Sequence, residues 1–267
     1  MSTRENSWSE RHHKNFLIEL KKIHQHHNNI DTTQFIEQIK ILEIYSLDKN
    51  RVFALFSQVD FYFLYLSKSV TNVIGHTPAE IYKKGLRLAF KVCYWKQLPL
   101  AIKVHQWGDM FRKALGEQAV TAQQEIFFCG VKSKDKQGKW KVFFLKQKIL
   151  STNEAGIPTL SFLDIEEITT IYKSDYVWTR MVAKTDNTTI SRAYFQEGKK
   201  KEYADILSVR EIEILRLIIE KKDNMTISET LGISKNTVER HRKNMIARLG
   251  VTDMTALIHV CQLCQFL

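Results

Sequence analysis

The chain has 267 residues, with 40 Lys/Arg against 29 Asp/Glu and a formal net charge of +11. That length allows two domains and a helical extension, and the basic balance suits a polyanionic partner. No run of 18 apolar residues occurs, the first ten residues are too polar for a signal peptide, and the four cysteines make no secreted disulfide framework, so a soluble cytoplasmic protein without a membrane span is expected.

Residues 1–45 read as a helical extension with polar runs and an apolar stripe of Phe35, Ile36, Ile39 and Leu42. Near Leu47-Asp48-Lys49-Asn50 the pattern changes, and Val52 to Phe56 and Phe61 to Leu66 are rich in aromatic and branched residues, as strands are. Gly75-His76-Thr77-Pro78 is a turn in which Thr77 caps a helix with proline at its first position. A longer helix is predicted from Leu98 to Leu115. Three strands follow, Glu125 to Lys132, Lys139 to Ser151 and Thr159 to Asp164, separated by the turns Lys134–Gly138 and Asn153–Gly156. Residues 171–204 are mixed and polar, ending in Glu197-Gly198-Lys199-Lys200-Lys201, and read as a linker.

Two strands, short helices, a longer helix and three antiparallel strands resemble a PAS domain, here over residues 46–170. Tyr65-Leu66-Ser67 and Val73-Ile74-Gly75-His76-Thr77-Pro78-Ala79-Glu80-Ile81 carry that resemblance. It implies a cavity that holds haem, flavin, a small metabolite or nothing, and no cofactor is evident. His76 and His105 are candidate haem ligands set against surface or turn histidines. Cys93, in Val-Cys-Tyr-Trp, lacks the context of a flavin-reactive thiol, and Phe127, Phe143 and Phe144 read as core. His12-His13 and His24-x-His26-His27 look like a metal tract but lack Cys or carboxylate at ligand spacing, so a solvated helix end is the better reading. Cys261-x-x-Cys264 has redox spacing without the strand context such a motif needs, and reads as apolar packing.

The last quarter of the chain, residues 205–267, is the most specific. Ser208-Val209-Arg210-Glu211 is a capping box opening a helix striped by Ile212, Leu215 and Ile219. Ile227 and Leu231 give a short second helix, Gly232 permits a sharp turn, and Ser234 caps a third helix. With Asn236 at 0° and about 100° per residue, Glu239, Arg240, Lys243 and Ala247 fall within roughly 60° of it, and Val238, Met245 and Leu249 lie near roughly 200°. One face is apolar and the other bears groups able to pair with base edges and phosphates. A last helix follows Thr252 as N-cap, lined by Leu257, Val260, Cys261 and Cys264.

These residues resemble the LuxR/GerE-type DNA-binding domain, through Leu207-Ser208-x-Arg210-Glu211-x-Glu213-x-Leu215, Ile233-Ser234-x-x-Thr237-Val238-x-x-His241 and Arg248-Leu249-Gly250-Val251. The resemblance implies that Ser234 to Leu249 is the recognition helix in the major groove of double-stranded DNA. It implies that Glu239, Arg240 and Lys243 face bases, that Lys235, Asn236, Thr237 and Asn244 are placed for backbone contacts, and that the last helix is a homodimer seam. His241 is expected to pack on the scaffold. Lys221 stands where the family has glycine, Thr226 where it often has Glu, and Ser228 where Ala is usual.

From Asp205 to Leu267 there are nine Lys/Arg against eight Asp/Glu, so the positive charge of this segment is local to one helix. The fold expected is α+β, a PAS-like antiparallel sheet with helices followed by an all-α four-helix unit. The function expected is a non-enzymatic, sequence-specific transcription regulator modulated by a small molecule or a signalling protein. An autoinducer-type small-molecule domain remains an alternative. A phosphorylated receiver lacks its acidic pair in residues 1–50, and an enzyme fused to the tail lacks a phosphate loop, nucleophile elbow or metal-ligand set.

Overall fold

A computed structural model describes residues 32–45, 50–85, 88, 91–195 and 205–266. The two histidine tracts and Glu197–Lys201 lie outside the described residues. Helix α1 (Thr33–Tyr45) precedes strands β1 (Arg51–Ser57) and β2 (Tyr62–Leu66), short helices α2 (Val70–Ile74) and α3 (Pro78–Lys84), and the long helix α4 (Leu98–Leu115). Strands β3 (Gln123–Lys134), β4 (Trp140–Thr152), β5 (Pro158–Glu167), β6 (Trp178–Lys184) and β7 (Thr189–Phe195) follow, then helices α5 (Val209–Ile219), α6 (Asn224–Leu231), α7 (Lys235–Leu249) and α8 (Met254–Leu263). Among the described residues no helix is long and apolar enough to cross a membrane.

The strands form one antiparallel sheet in the order β2-β1-β5-β4-β3-β6-β7. Strands β6 and β7 occupy the segment expected to be a linker. That expectation failed because β6 is buried on both faces, so it shows no alternation, and because its Arg180 serves a buried network instead of solvent.

Side chains alternate across the pleat, and each face has its own cover. On one face Val52, Leu66, Phe143 and Leu163 form a core with Val70 and Val73 of α2 and Ile81 of α3. Farther along the same face Met181, Ala183 and Tyr194 pack on Phe111 and Leu115 of α4, with Trp107 stacked on Tyr194 at 4.6 Å between centroids. The opposite face carries two further cores. Phe53, Leu55 and Leu160 take Ile39 of α1, with Phe35 and Ile36 beside it. Leu42, expected in that stripe, is exposed, because the sheet contacts only one narrow side of α1.

The second core of that face joins the sheet to the C-terminal helices. Phe127, Phe144 and Trp178 share one apolar cluster with Leu215, Val238, Leu249, Leu257, Cys261 and Phe266. Backbone and side-chain bonds fix it: Trp178 Nε1 donates to Leu249 O at 3.1 Å and the Tyr176 hydroxyl to Arg248 O at 2.7 Å. Thr252 N donates to Ile171 O at 3.0 Å. A bulge at Gly130 lets the two faces of β3 exchange roles. Cys129 faces the helical unit and Val131 the other side, and Gly130, at φ 91°, sits where a Cβ would lie 2.6 Å from Tyr176 O.

Arg180 on β6 ties this junction. Its guanidinium pairs with both carboxylate oxygens of Asp205 at 2.7 and 2.8 Å, donates to Cys264 O at 2.9 Å and lies 4.1 Å from the Phe266 ring centroid. The Ser191 hydroxyl of β7 donates to the same carboxylate at 2.7 Å. A planar five-donor group suits that site as lysine does not, and removing one partner of a buried ion pair strands the other. Arg180→Ala should therefore destabilise the chain by about 3 kcal/mol in urea denaturation, with Arg180→Lys recovering little of it.

Candidate nucleic-acid interface

Local chemistry sets each helix of the C-terminal unit. Ser208 Oγ accepts from Glu211 N at 3.3 Å while Glu211 Oε2 accepts from Ser208 N at 2.8 Å, completing the capping box that opens α5. Asp223 caps α6 by accepting from Thr226 N at 2.8 Å, and those backbone bonds, with Lys235 nearby, hold its carboxyl below the usual range. Helix α6 ends at Gly232, φ 63°, with Ile233 N donating to Ser228 O at 3.0 Å, a closing pattern that needs a left-handed residue. Ser234 then caps α7 by accepting from Thr237 N at 3.1 Å. Helix α8 is capped by Asp253, which accepts from Ala256 N at 3.0 Å. The expected cap, Thr252, instead has its backbone drawn to Ile171 O in the connection between β5 and β6.

The turn between α5 and α6 places Lys221 at φ 60°, where the resemblance implies glycine. A side chain there costs about 1 to 2 kcal/mol.

Helix α7 divides cleanly. Val238, Met245 and Leu249 are fully buried. Lys235, Asn236, Arg240, Lys243 and Asn244 are exposed, and Thr237 and Glu239 are half-buried. Of the seven residues singled out from sequence, the structure thus brings Asn236, Arg240, Lys243 and Asn244 onto one solvent face. Lys235 and Glu239 stand on the flank nearest α6, and the Thr237 hydroxyl lies 2.9 Å from Ser234 Oγ within the cap. His241 is half-buried.

Beside this face runs an open groove of about 610 Å³, walled by Asp223, Asn224 and Met225 on one side and by Lys235, Glu239, Arg242 and Lys243 on the other. Asn224 links the walls: its Oδ1 accepts from Arg242 at 2.8 Å and its Nδ2 approaches Glu239 Oε1 at 3.5 Å. Sequence reasoning missed Arg242 and Asn224 as groove residues. Helical arithmetic puts Arg242 toward the buried side, and only the crossing of α6 over α7 turns it into the groove.

Arg248 adds no charge to this surface. It donates to Glu211 Oε2 at 2.7 Å and to Ile206 O at 3.1 Å. Burial opposes ionisation of Glu211, but Arg248 and the Ser208 N–H outweigh it and hold the carboxyl below its usual range.

Helix α8, expected as a dimer seam, uses its apolar side chains within its own chain: Leu257, Val260, Cys261 and Cys264 are fully buried. Burial pushes the Cys261 thiol up to about 12 and the Cys264 thiol well above its ordinary value, so both pack as neutral side chains. Of α8, Thr255 and Gln262 are exposed, and Met254, Ile258, His259 and Leu263 are half-buried. The two histidines weighed as haem ligands stand apart: His76 lies 3.4 Å from Glu80 Oε2, and burial lowers His105 to about 4.

Residues 205–261 match the family model described as GerE, bacterial regulatory proteins of the luxR family. The transcriptional regulatory protein MctR of Rhizobium johnstonii is 47% identical over 73 residues, 24% of this chain and 34% of that protein. The oxygen regulatory protein NreC of Staphylococcus aureus is 33% identical over 92 residues, 34% of this chain and 42% of that protein. The chain thus spans less than half the length of either relative. A solved structure of the Vibrio cholerae VqmA dimer in the absence of target DNA aligns over 86% of this chain and 88% of its own, at 14% identity and a TM-score of 0.30.

Two outcomes follow from this geometry. Lys221→Gly should raise unfolding stability by about 1 kcal/mol, read as a higher urea midpoint at unchanged slope. Glu211, with its folded pKa lowered, contributes stability that is full above the ordinary Glu value of about 4.3 and is lost as pH falls through the folded value. Arg248→Ala should cost about 2 kcal/mol at neutral pH and shift the onset of acid unfolding upward, as followed by circular dichroism across pH 2 to 6.

Proposed function

We propose that this chain is a sequence-specific transcription regulator of the luxR type that binds duplex DNA by laying α7 in the major groove. The carrying observation is the division of α7: a fully buried apolar side fixes the helix on its scaffold, and the opposite side offers Asn236, Arg240, Lys243 and Asn244 to solvent. Arginine and lysine pair with guanine O6 and N7, asparagine with adenine, and all three with phosphate. The match of residues 205–261 to the luxR family supports the same reading.

In this reading Glu239, Arg240 and Lys243 read bases, with Glu239 accepting from cytosine N4, and Lys235, Asn236, Thr237 and Asn244 grip the backbone. Arg242 joins them from the groove wall. The regulator works without enzymatic chemistry and acts as a homodimer on a two-fold operator. Pairing through α8 requires α8 to leave the sheet, so the docked arrangement and the α8 dimer exclude one another.

Residues 50–167 serve as a PAS-like sensor. Their order supports this: two strands, short helices, a long helix, then three antiparallel strands. The sheet carries the DNA-binding unit on one face and the α2–α3 core on the other, so a ligand or partner acting on the second face acts through a wall shared with the first.

The test is selection of a duplex from a random pool with the full chain, followed by gel shifts. Lys243→Ala should lower the salt slope of binding by about 1 if it grips phosphate, and Arg240→Ala should cost about 1 to 3 kcal/mol and relax preference at one base pair. If the double variant binds the selected duplex as tightly as wild type at low salt, α7 is not the reading helix.

A further inference from the structure

Between the sheet face of β1, β3, β4 and β5 and helices α2 and α3 lies a cavity of about 560 Å³. Its walls are aliphatic and aromatic, with Val52, Leu66, Val73, Phe143, Leu145 and Ile165 prominent among them. Among the described residues that line it, none is Asp, Glu, Lys, Arg or His. The polar side chains among its described lining residues are Tyr62, Tyr82, Cys93 and Ser133. Tyr62 and Tyr82 are 48% and 47% exposed, so they stand at the mouth between edge strand β2 and α3.

The volume falls in the range of small-molecule sites, which bury most of the ligand and orient it with a few polar groups. The lining then fixes the ligand's charge. An ion entering this space loses its water and meets no counter-charge, a penalty that no neutral hydroxyl or thiol offsets. Haem propionates and flavin phosphates are ions of this kind. Burial raises the Cys93 thiol to about 11 and raises Tyr82, which keeps both uncharged at neutral pH.

The walls also reach the DNA-binding unit. Phe143 and Leu145 line the cavity, while Phe144 between them sits in the core shared with α8. On β3, Val131 and Ser133 line it, and Cys129, across the Gly130 bulge, belongs to that shared core. An occupant that shifts β3 or β4 shifts both sides.

Resting on the sensor reading of residues 50–167, we propose that this cavity binds a neutral, predominantly apolar small molecule with one or two uncharged hydrogen-bonding groups, and that it rejects anions of the same size.

The experiment titrates the full chain with N-phenyl-1-naphthylamine, a neutral fluorophore bright in apolar surroundings. A single saturable site is expected, displaced by 1-naphthaleneethanol and at least about tenfold less well by 1-naphthaleneacetate, which carries a carboxylate on the same rings. Leu145→Trp and Val73→Phe fill the space from opposite walls, and either one that folds by circular dichroism should lose the fluorescence gain. Should both misfold, a concentration-dependent rise in the wild-type melting temperature with 1-naphthaleneethanol and not with the acetate supports the proposal in their place, and an equal rise with both overturns it. Absence of saturable binding, equal displacement by the carboxylate, or undiminished binding in a folded, filled variant also overturns the proposal. Gel shifts on the same preparations separate the two readings, since intact DNA binding without probe binding leaves the regulator standing and removes only this ligand class.

Discussion

Burial of one sheet face against the C-terminal helices governs this structure. Phe127, Phe144 and Trp178 are each fully buried, in one core with the end of α7 and the buried side of α8. Full burial of an aromatic side chain contributes on the order of 2 kcal/mol, so these three alone hold the two halves together unless something compensates. Around them the backbone is pinned at Gly250, whose carbonyl accepts from Lys173 N at 2.8 Å and whose absent side chain leaves room for Tyr172 and Ser174. Arg180 then satisfies the polar groups that such contact would otherwise strand.

This arrangement leaves α7 pointing its polar face at solvent while its scaffold is occupied. The face that would read DNA and the face that holds the sheet are different, so docking does not cover Asn236, Arg240 or Lys243. It covers α8 instead. The docked sheet thus occupies the apolar side of α8 and leaves the exposed side of α7 clear.

Much of this was legible from residues with short-range consequences. Ser208, Ser234 and Thr77 each have a partner three residues on, so the caps of α5, α7 and α3 could be read from spacing. The exposed and buried sides of α7 followed from 3.6-residue periodicity alone. What could not be read depends on distant partners. Strand β6, Trp-Thr-Arg-Met-Val-Ala-Lys, is buried on both faces by α4 and α8 and shows no alternation, while Arg180 within it looks like a surface residue until Asp205 and Phe266 surround it. Likewise Thr252 is as good a cap as Asp253 in isolation, and the pull of Ile171 O on its backbone decides between them. Arg242 enters the groove only because α6 crosses α7 where it does.

Strand β7 ends at Phe195, and Asp205 is anchored beside it by Arg180 and Ser191. The nine residues 196–204 between them span at most roughly 35 Å when fully stretched. A helical unit that leaves the sheet therefore stays within that radius of its own docking face, at a local concentration of the order of millimolar. Return to the docked state is then a first-order process that dilution does not slow, whereas pairing of two chains weakens with every dilution. If two copies compete with the sheet for α8, the length of that connection makes the cellular amount of the protein itself one of the variables that decides the outcome.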